Sequence, residues 1–344
     1  MLKDFPRDAV VYCFDTETVP DILGLINALG IEFKSASTFE SIIDRFKKER
    51  YGADAGDPML PLAFQQIVAL PCLRFNLSLE AGGAPQFKLT NYISKPLPKN
   101  PPQAKGNDVD DRLEWLRLGL EQEADALTEW MDDIVADQKA NKTVILLTWN
   151  GHGFDMPVVL ERSQRRFPRK AKGKVQSVRS GDNSECRKNF FRRANQRGEH
   201  DLFSRFSPLN VDLMRVIAGE HGYSVKTKQA DYAALMNVPG KIQGPNDSET
   251  MDGSKVAALY FHSTSQRQRI IDYGSHDVLT LALLFINTLE GFGMIDEETR
   301  QYYFDQLVKY VESELKAHKK RKVKKPHPFQ LWYDDLKRLN PNGF

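Results

Sequence analysis

The chain is poor in cysteine and has no apolar run long enough to cross a bilayer. Its three cysteines, Cys13, Cys72 and Cys186, are odd in number and lack the close spacing of a zinc site. They argue against a disulfide framework and for a reducing compartment, so a cytoplasmic location is expected. The longest apolar run, LTLALLFI at residues 279–286, falls far short of a membrane span. The first residues, MLKDFPRDAV, lack the apolar core of a signal peptide. No internal repeat and no clear linker interrupt the 344 residues, which suffice for one large domain or two ordinary ones.

The net charge of only +2 conceals strong segregation. Residues 162–197 hold 13 Lys/Arg against 2 Asp/Glu, and residues 107–138 hold 2 basic against 11 acidic side chains. A near-neutral chain with one strongly basic segment suits a polyanionic ligand bound on one side. A solvated surface loop explains the same run without any ligand.

Hydrophobic periodicity organises the remainder. The apolar residues before Asp15 predict a first strand, followed by a helical insertion at about 21–60. QQIVALPCLRFNL and QFKLTNYI predict two strands joined as a hairpin through EAGGAP. Leu113, Leu116, Leu120, Leu127, Met131 and Ile134 recur at helical spacing, which places the acidic charge of that helix on its outer face. TVILLTWN predicts a strand buried on both faces, and GFDMPVVLERSQRR a helix after it. PLNVDLMRVIAG fits either a short strand or a helix start. Helices then dominate, ending in one that leads to a basic, proline-containing tail. The expected architecture is α/β, a mixed central sheet flanked by helices. Residues 1–295 would form the domain, with a basic insertion at about 162–206, and 296–344 a C-terminal helix and basic tail.

Carboxylates stand where apolar elements ought to continue. Asp15 and Glu17 are two apart in VYCFDTETVP, and on one strand they would lie side by side on the same face. Asp155 follows the buried strand TVILLTWN. Asp277 lies in a largely apolar helix, with Tyr273 one turn earlier on the same side. Gathering such acids in an apolar setting raises their pKa values and destabilises the fold. Hard divalent cations remove that penalty, and a ligand set without His or Cys suits Mg2+ or Mn2+.

These segments resemble the three exonuclease motifs of the DEDD, or DnaQ-like, superfamily, whose fold is ribonuclease H-like. FDTET carries the Asp-x-Glu of the first, NGHGFD the Asn-x-x-x-Phe-Asp of the second, and YGSHD the Tyr-x-x-x-Asp of the third. The chain is most similar to stand-alone predicted 3′–5′ exonucleases related to the proofreading domain of family-B DNA polymerases. The resemblance runs from about residue 11 to 289, and no polymerase domain is expected alongside it.

The resemblance implies a two-metal-ion phosphodiester hydrolase of the tyrosine (DEDDy) type. Asp15, Glu17, Asp155 and Asp277 would hold two Mg2+ or Mn2+ ions, and Tyr273 would orient the attacking water. In the histidine class a His stands five residues before the last acid; here that position is Asp272. His276 would lie about 100° around the helix from Asp277 and is expected at the surface or behind the site. His152 is expected in a solvent-facing loop, and Asp212 as a helix cap.

Phe14, Thr16, Asn150 and Phe154 are candidates to hold the terminal nucleotide. Arg192 and Arg193, among Phe167, Phe190 and Phe191, would track single-stranded DNA. The expected substrate is single-stranded or frayed DNA, released as nucleoside 5′-monophosphates. An exoribonuclease is the rival within the enzyme class, and a nucleic-acid-binding module with a degenerate site the rival outside it. No membrane and no small-molecule cofactor are expected as partners. The basic run KAHKKRKVKK is expected to be a solvated helix end or an auxiliary nucleic-acid contact; it resembles a nuclear-targeting signal, which would apply only in a eukaryotic setting.

Overall fold

The structure is a computed structural model that describes residues 5–34, 37–54, 56–79, 85–93, 97, 109–171, 174–178, 202–219, 227–241, 251, 253–262, 264–321 and 327–340. In chain order its first elements are β1 (Asp8–Phe14), β2 (Glu17–Pro20), α1 (Ile22–Leu29), α2 (Phe39–Tyr51), β3 (Gln65–Ala69), β4 (Pro71–Ser78) and β5 (Lys88–Asn91). Next come α3 (Val109–Lys139), β6 (Val144–Thr148), α4 (Asp155–Gln164), β7 (Phe167–Ala171), β8 (Lys174–Val178) and β9 (Asn210–Asp212). The last are α5 (Leu213–Ile217), α6 (Gln229–Leu235), α7 (Gly253–His262), α8 (Thr264–Gly291), α9 (Glu297–Lys320) and α10 (Phe329–Leu339).

β1 is the centre of a five-stranded sheet in the order β5-β4-β1-β6-β9. It pairs antiparallel with β4, from Asp8 opposite Ser78 to Phe14 opposite Cys72, and β4 pairs antiparallel with β5. On its other side β6 and then β9 run parallel. This mixed sheet with helices against it is the expected ribonuclease H-like arrangement.

Six of the seven β1 residues are buried, because helices cover both faces of the sheet. The pleat sends alternate side chains to opposite sides. Ala9, Val11 and Cys13 pack in the core formed with α8, α9 and α10. Val10, Tyr12 and Phe14 pack in the core formed with α3 and α4. β6 divides in the same way, Ile145 and Leu147 to one side, Val144 and Leu146 to the other. A third core joins α1 and α2 to β3, α3, α7 and the start of α8.

Several expectations need correction. The run QQIVALPCLRFNL is two strands: β3 pairs with β2 in a separate two-stranded sheet, and β4 joins the main sheet. The β4–β5 hairpin is as expected. PLNVDLMRVIAG is both alternatives at once, β9 running directly into α5. The acids of α3 do not all face outward, since Glu123 and Asp137 are buried. Asp137 accepts hydrogen bonds from Tyr12 (2.7 Å), Arg74 (2.7 and 2.8 Å) and Lys142 (2.9 Å).

The supposed tail contains α10, whose Phe329, Trp332, Tyr333 and Leu336 are buried against α8 and α9. Trp332 Nε1 donates to Thr280 Oγ1 of α8 at 3.2 Å. Among the described residues, no helix is long and apolar enough to cross a membrane.

Arg162, counted in the basic segment, is no surface residue. Its guanidinium is enclosed, donating to Glu123 Oε1 (2.7 Å), Glu123 Oε2 (2.5 Å), Asp21 Oδ2 (2.7 Å) and the Ala63 carbonyl (3.1 Å). Arg165 also pairs with Asp21. Asp21 in turn caps α1 through Gly24 N (2.9 Å), and Glu123 accepts Ile67 N of β3 (2.8 Å). One guanidinium thus ties α4 to α1, α3 and β3. Removing one partner of a buried ion pair strands the other charges without solvent. Arg162→Met is expected to cost about 3–5 kcal/mol, read as a lowered urea midpoint. A midpoint unchanged within error would show the network to be dispensable.

Candidate functional site

Three carboxylates from three segments meet at the end of β1. One ligand oxygen from each of Asp15, Glu17 and Asp277 lies within 4.8 Å of the others. Asp15 and Glu17 do not share a strand, however. β1 stops at Phe14, and Glu17 opens β2, which belongs to the other sheet. Glu17 sits opposite Ala69 and Thr18 opposite Ile67, so the register slips by one residue between them. A bulge of this kind re-aims the side chain beside it. The two acids converge because the chain breaks, not because of a strand's pleat.

The alternation of β1 continues into the site. Asp15 follows Cys13 on the side of α8, and the Cys13 thiol donates to the Val278 carbonyl at 3.3 Å, next to Asp277. Thr16 follows Phe14 on the side of α4. Its Oγ1 and N both donate to Asp155 Oδ1, at 2.6 and 3.0 Å. Asp155 is therefore held one residue away from the cluster and is not among its three members.

Gly274 allows α8 to come this close. A Cβ there would stand 2.8 Å from Pro71 Cγ and 3.5 Å from Glu17 Cγ. Gln229 Nε2 of α6 donates to the Asp277 carbonyl at 2.8 Å.

The second motif owes its form to a tight turn between β6 and α4. Asn150 has φ +60°, a left-handed conformation that asparagine tolerates better than most residues. At Gly151 a Cβ would fall 1.9 Å from Thr148 Oγ1, so no larger residue fits. Asp212, at the end of β9, latches this turn by accepting Asn150 N (2.9 Å) and His152 N (3.1 Å). It makes no side-chain cap to α5, contrary to expectation. No spacing in the sequence pointed to this role.

The cluster floors an open cleft of about 850 Å3 lined by Thr16, Trp149, Asn150, Phe154, Met214 and Tyr273, among others. Trp149, half-buried and 5.8 Å from the Tyr232 ring between centroids, was not anticipated as a lining residue. Phe14 must be withdrawn as a substrate contact. It is fully buried, with its ring centroid 4.9 Å from that of Trp130. The Thr16 hydroxyl is committed to Asp155. His276, expected at the surface or behind the site, is buried and its Nε2 bonds the Pro328 carbonyl, tying α8 to the segment before α10. His152 is not a simple solvent-facing residue, since Nδ1 contacts Arg215. Arg192 and Arg193 lie outside the described residues.

The electrostatics show what the cluster needs. Burial, then the charge of Asp15, pushes the Asp277 carboxyl up to about 7. Glu17 stands well above the usual carboxylate range, through burial and then the charges of Asp15 and Asp277. Burial also raises Asp15, outweighing hydrogen bonds to Glu17 and Thr16 and the charge of Lys241. Asp155 is raised by burial and by Asp15, against the two bonds from Thr16. Tyr273 is driven far above its ordinary value by burial and then by Asp277 and Glu17, so its hydroxyl keeps its proton. An all-oxygen set of mutually repelling carboxylates fits a hard divalent cation, which would relieve that repulsion.

The sheet order and the acidic site together define an α/β protein of the ribonuclease H-like class. A family model described as "predicted 3′–5′ exonuclease related to the exonuclease domain of PolB" matches residues 112–326, and the chain belongs to that family. The match contains Asp155, Tyr273 and Asp277, whereas Asp15 and Glu17 precede it and reach the site through the fold. No curated protein and no solved structure matches the chain.

Two expectations follow. An acid whose folded pKa exceeds its unfolded value favours folding fully below the unfolded value. That contribution is lost as pH rises through the folded value. For Asp277 the window runs from about 4 to about 7. The gain in melting temperature on adding Mn2+ over EDTA should therefore be smallest near pH 5 and grow towards pH 8. A gain independent of pH would contradict this account. Gly274→Ala should displace α8 from Pro71 and Glu17, costing about 1–3 kcal/mol in chemical denaturation and weakening Mn2+ binding by calorimetry. Unaltered Mn2+ affinity would show that the close approach does not position Asp277.

Proposed function

We propose that the protein is a metal-dependent 3′–5′ exonuclease of the DEDDy type, acting on single-stranded or frayed DNA and releasing nucleoside 5′-monophosphates. The observation that carries this reading is the convergence of Asp15, Glu17 and Asp277 in one cleft, with Tyr273 among the lining residues and Asp155 fastened to Thr16. Asp15, Glu17, Asp155 and Asp277 are the residues that would hold two Mg2+ or Mn2+ ions. Such ions, when bound, acidify a water and neutralise charge at the scissile phosphate and leaving oxygen.

The chain's own groups do the rest. Tyr273 keeps its proton, so it acts as a donor that orients the attacking water and not as a general base. Thr16 fixes Asp155, and with it the start of α4, against the end of β1. The Phe154 and Trp149 rings on the cleft wall offer stacking surfaces for the terminal nucleotide, which reads no particular base. Asn150 presents its side chain from a turn that Asp212 holds rigid.

The test uses 5′-labelled single-stranded DNA, duplex DNA and RNA with Mg2+ or Mn2+, alongside Asp15→Asn. The expected result is a ladder growing from the 3′ end of single-stranded DNA. Loss of residues behind metal ligands typically costs about 10–100-fold, so Asp15→Asn should lose at least the upper end of that range. Degradation of RNA alone would replace this reading with an exoribonuclease. Binding without cleavage would replace it with a nucleic-acid-binding module.

A further inference from the structure

The cleft is lined not only by the acids and aromatic rings but also by an ion pair from the N-terminal helices. Lys47 of α2 and Asp57, just beyond that helix, both line it, and Lys47 Nζ donates to Asp57 Oδ1. The pair is lopsided. The Lys47 side chain is 21% exposed, held where α2 packs through its neighbour Phe46 onto Phe64, while Asp57 is 90% exposed. Lys47 is thus a fixed cation facing the cleft, and Asp57 is a solvated anion resting against it. With its carboxylate this exposed, the pair is worth little, on the order of 1 kcal/mol, so a second anion displaces the carboxylate at little cost.

Lys228 and Lys241 line the same cleft. The three lysines share the cleft with a floor whose own charge a metal would offset. The volume of about 850 Å3 lies towards the upper end of the roughly 300–1,000 Å3 that encloses a small ligand. A terminal nucleotide at the acids leaves room for the chain behind it.

Resting on the exonuclease reading, we propose that Lys47 is a phosphate-contact residue for the single-stranded DNA leading into the site. Asp57 occupies its phosphate position until substrate arrives. Asp57 is then an internal competitor, and the α2 segment serves as a binding element in addition to its place in the core.

The two partners should respond in opposite directions, which a purely structural ion pair cannot do. Binding of a 5′-labelled single-stranded oligonucleotide is measured by fluorescence anisotropy in EDTA across a salt series. KM is measured on the same oligonucleotide, and turnover on the p-nitrophenyl ester of thymidine 5′-monophosphate. Lys47→Ala is expected to weaken oligonucleotide binding at least about 3-fold and to flatten the log–log salt slope by about 0.7. Asp57→Asn should tighten binding by a similar factor. The double variant should bind like Lys47→Ala, because the gain from Asp57→Asn exists only through Lys47. Turnover of the small ester should not change in any of the three.

Shifts of both single variants in the same direction, no shift in either, or a double variant that retains the gain would overturn the proposal. So would loss of small-ester turnover in Lys47→Ala with its melting temperature intact. Absence of hydrolysis by the unmodified protein with either metal would sink the exonuclease reading instead, and the anisotropy comparison would still decide the role of Lys47.

Discussion

β1 runs between helices on both faces of the sheet, and its pleat assigns each side chain to one of them. Where the strand ends, the alternation persists and sorts polar groups in place of apolar ones. Asp15 goes to the side of α8 and meets Asp277, while Thr16 goes to the side of α4 and binds Asp155. The two halves stay close enough for the charge of Asp15 to raise the Asp155 carboxyl. Glu17 completes the first half only because the chain breaks after Phe14 and enters a second sheet through a bulge. Burial also makes the site costly, since Glu17 and Asp155 are buried, Asp15 and Asp277 partly so, and all four are raised in pKa.

The mixed sheet with its flanking helices and the segments that carry the acids were legible because each rests on a strong local pattern, whereas the order of the strands was not. Continuous apolar runs announced β1 and β6, and acids interrupting them were conspicuous. Glu17 does lie beside Asp15, but same-face geometry on one strand does not describe how it gets there. Asp212 was invisible in its role, because a carboxylate accepting two backbone N–H groups from a distant turn leaves no trace in spacing. Phe14 looked like a nucleotide contact from its place beside Asp15, yet parity sends it to Trp130. α10 could have been found: Phe329, Trp332, Tyr333 and Leu336 stand at helical intervals, but the basic run before them drew the reading towards a solvated tail. Arg162 was grouped with its basic neighbours because charge counts do not distinguish an exposed guanidinium from one enclosed by two acids.

The enclosed guanidinium and the α10 dock act on different sides of the same frame. Arg162 fastens α4, which begins at Asp155, to α1, α3 and β3. On the other side, the His276 contact with Pro328 and the bond from Trp332 to Thr280 press α10 onto the helix bearing Tyr273 and Asp277. Each helix that carries an acid is therefore braced by polar contacts remote from the cleft. A site of carboxylates that raise one another's pKa values benefits from such bracing, because their mutual repulsion works against bringing these helices together.

The contact between Cys13 and Val278 joins residues 265 apart in sequence. Closing so long a loop comes late in folding, after local helices and the hairpin have formed. A domain generally folds as a unit, so the end of β1 and the acid of α8 meet only when the sheet and α8 are both in place. Asp15 and Glu17 are close in sequence, but Asp277 joins them only across that long loop. The cluster is thus a product of the assembled domain, because its acids sit on segments that meet only when the sheet and α8 have come together.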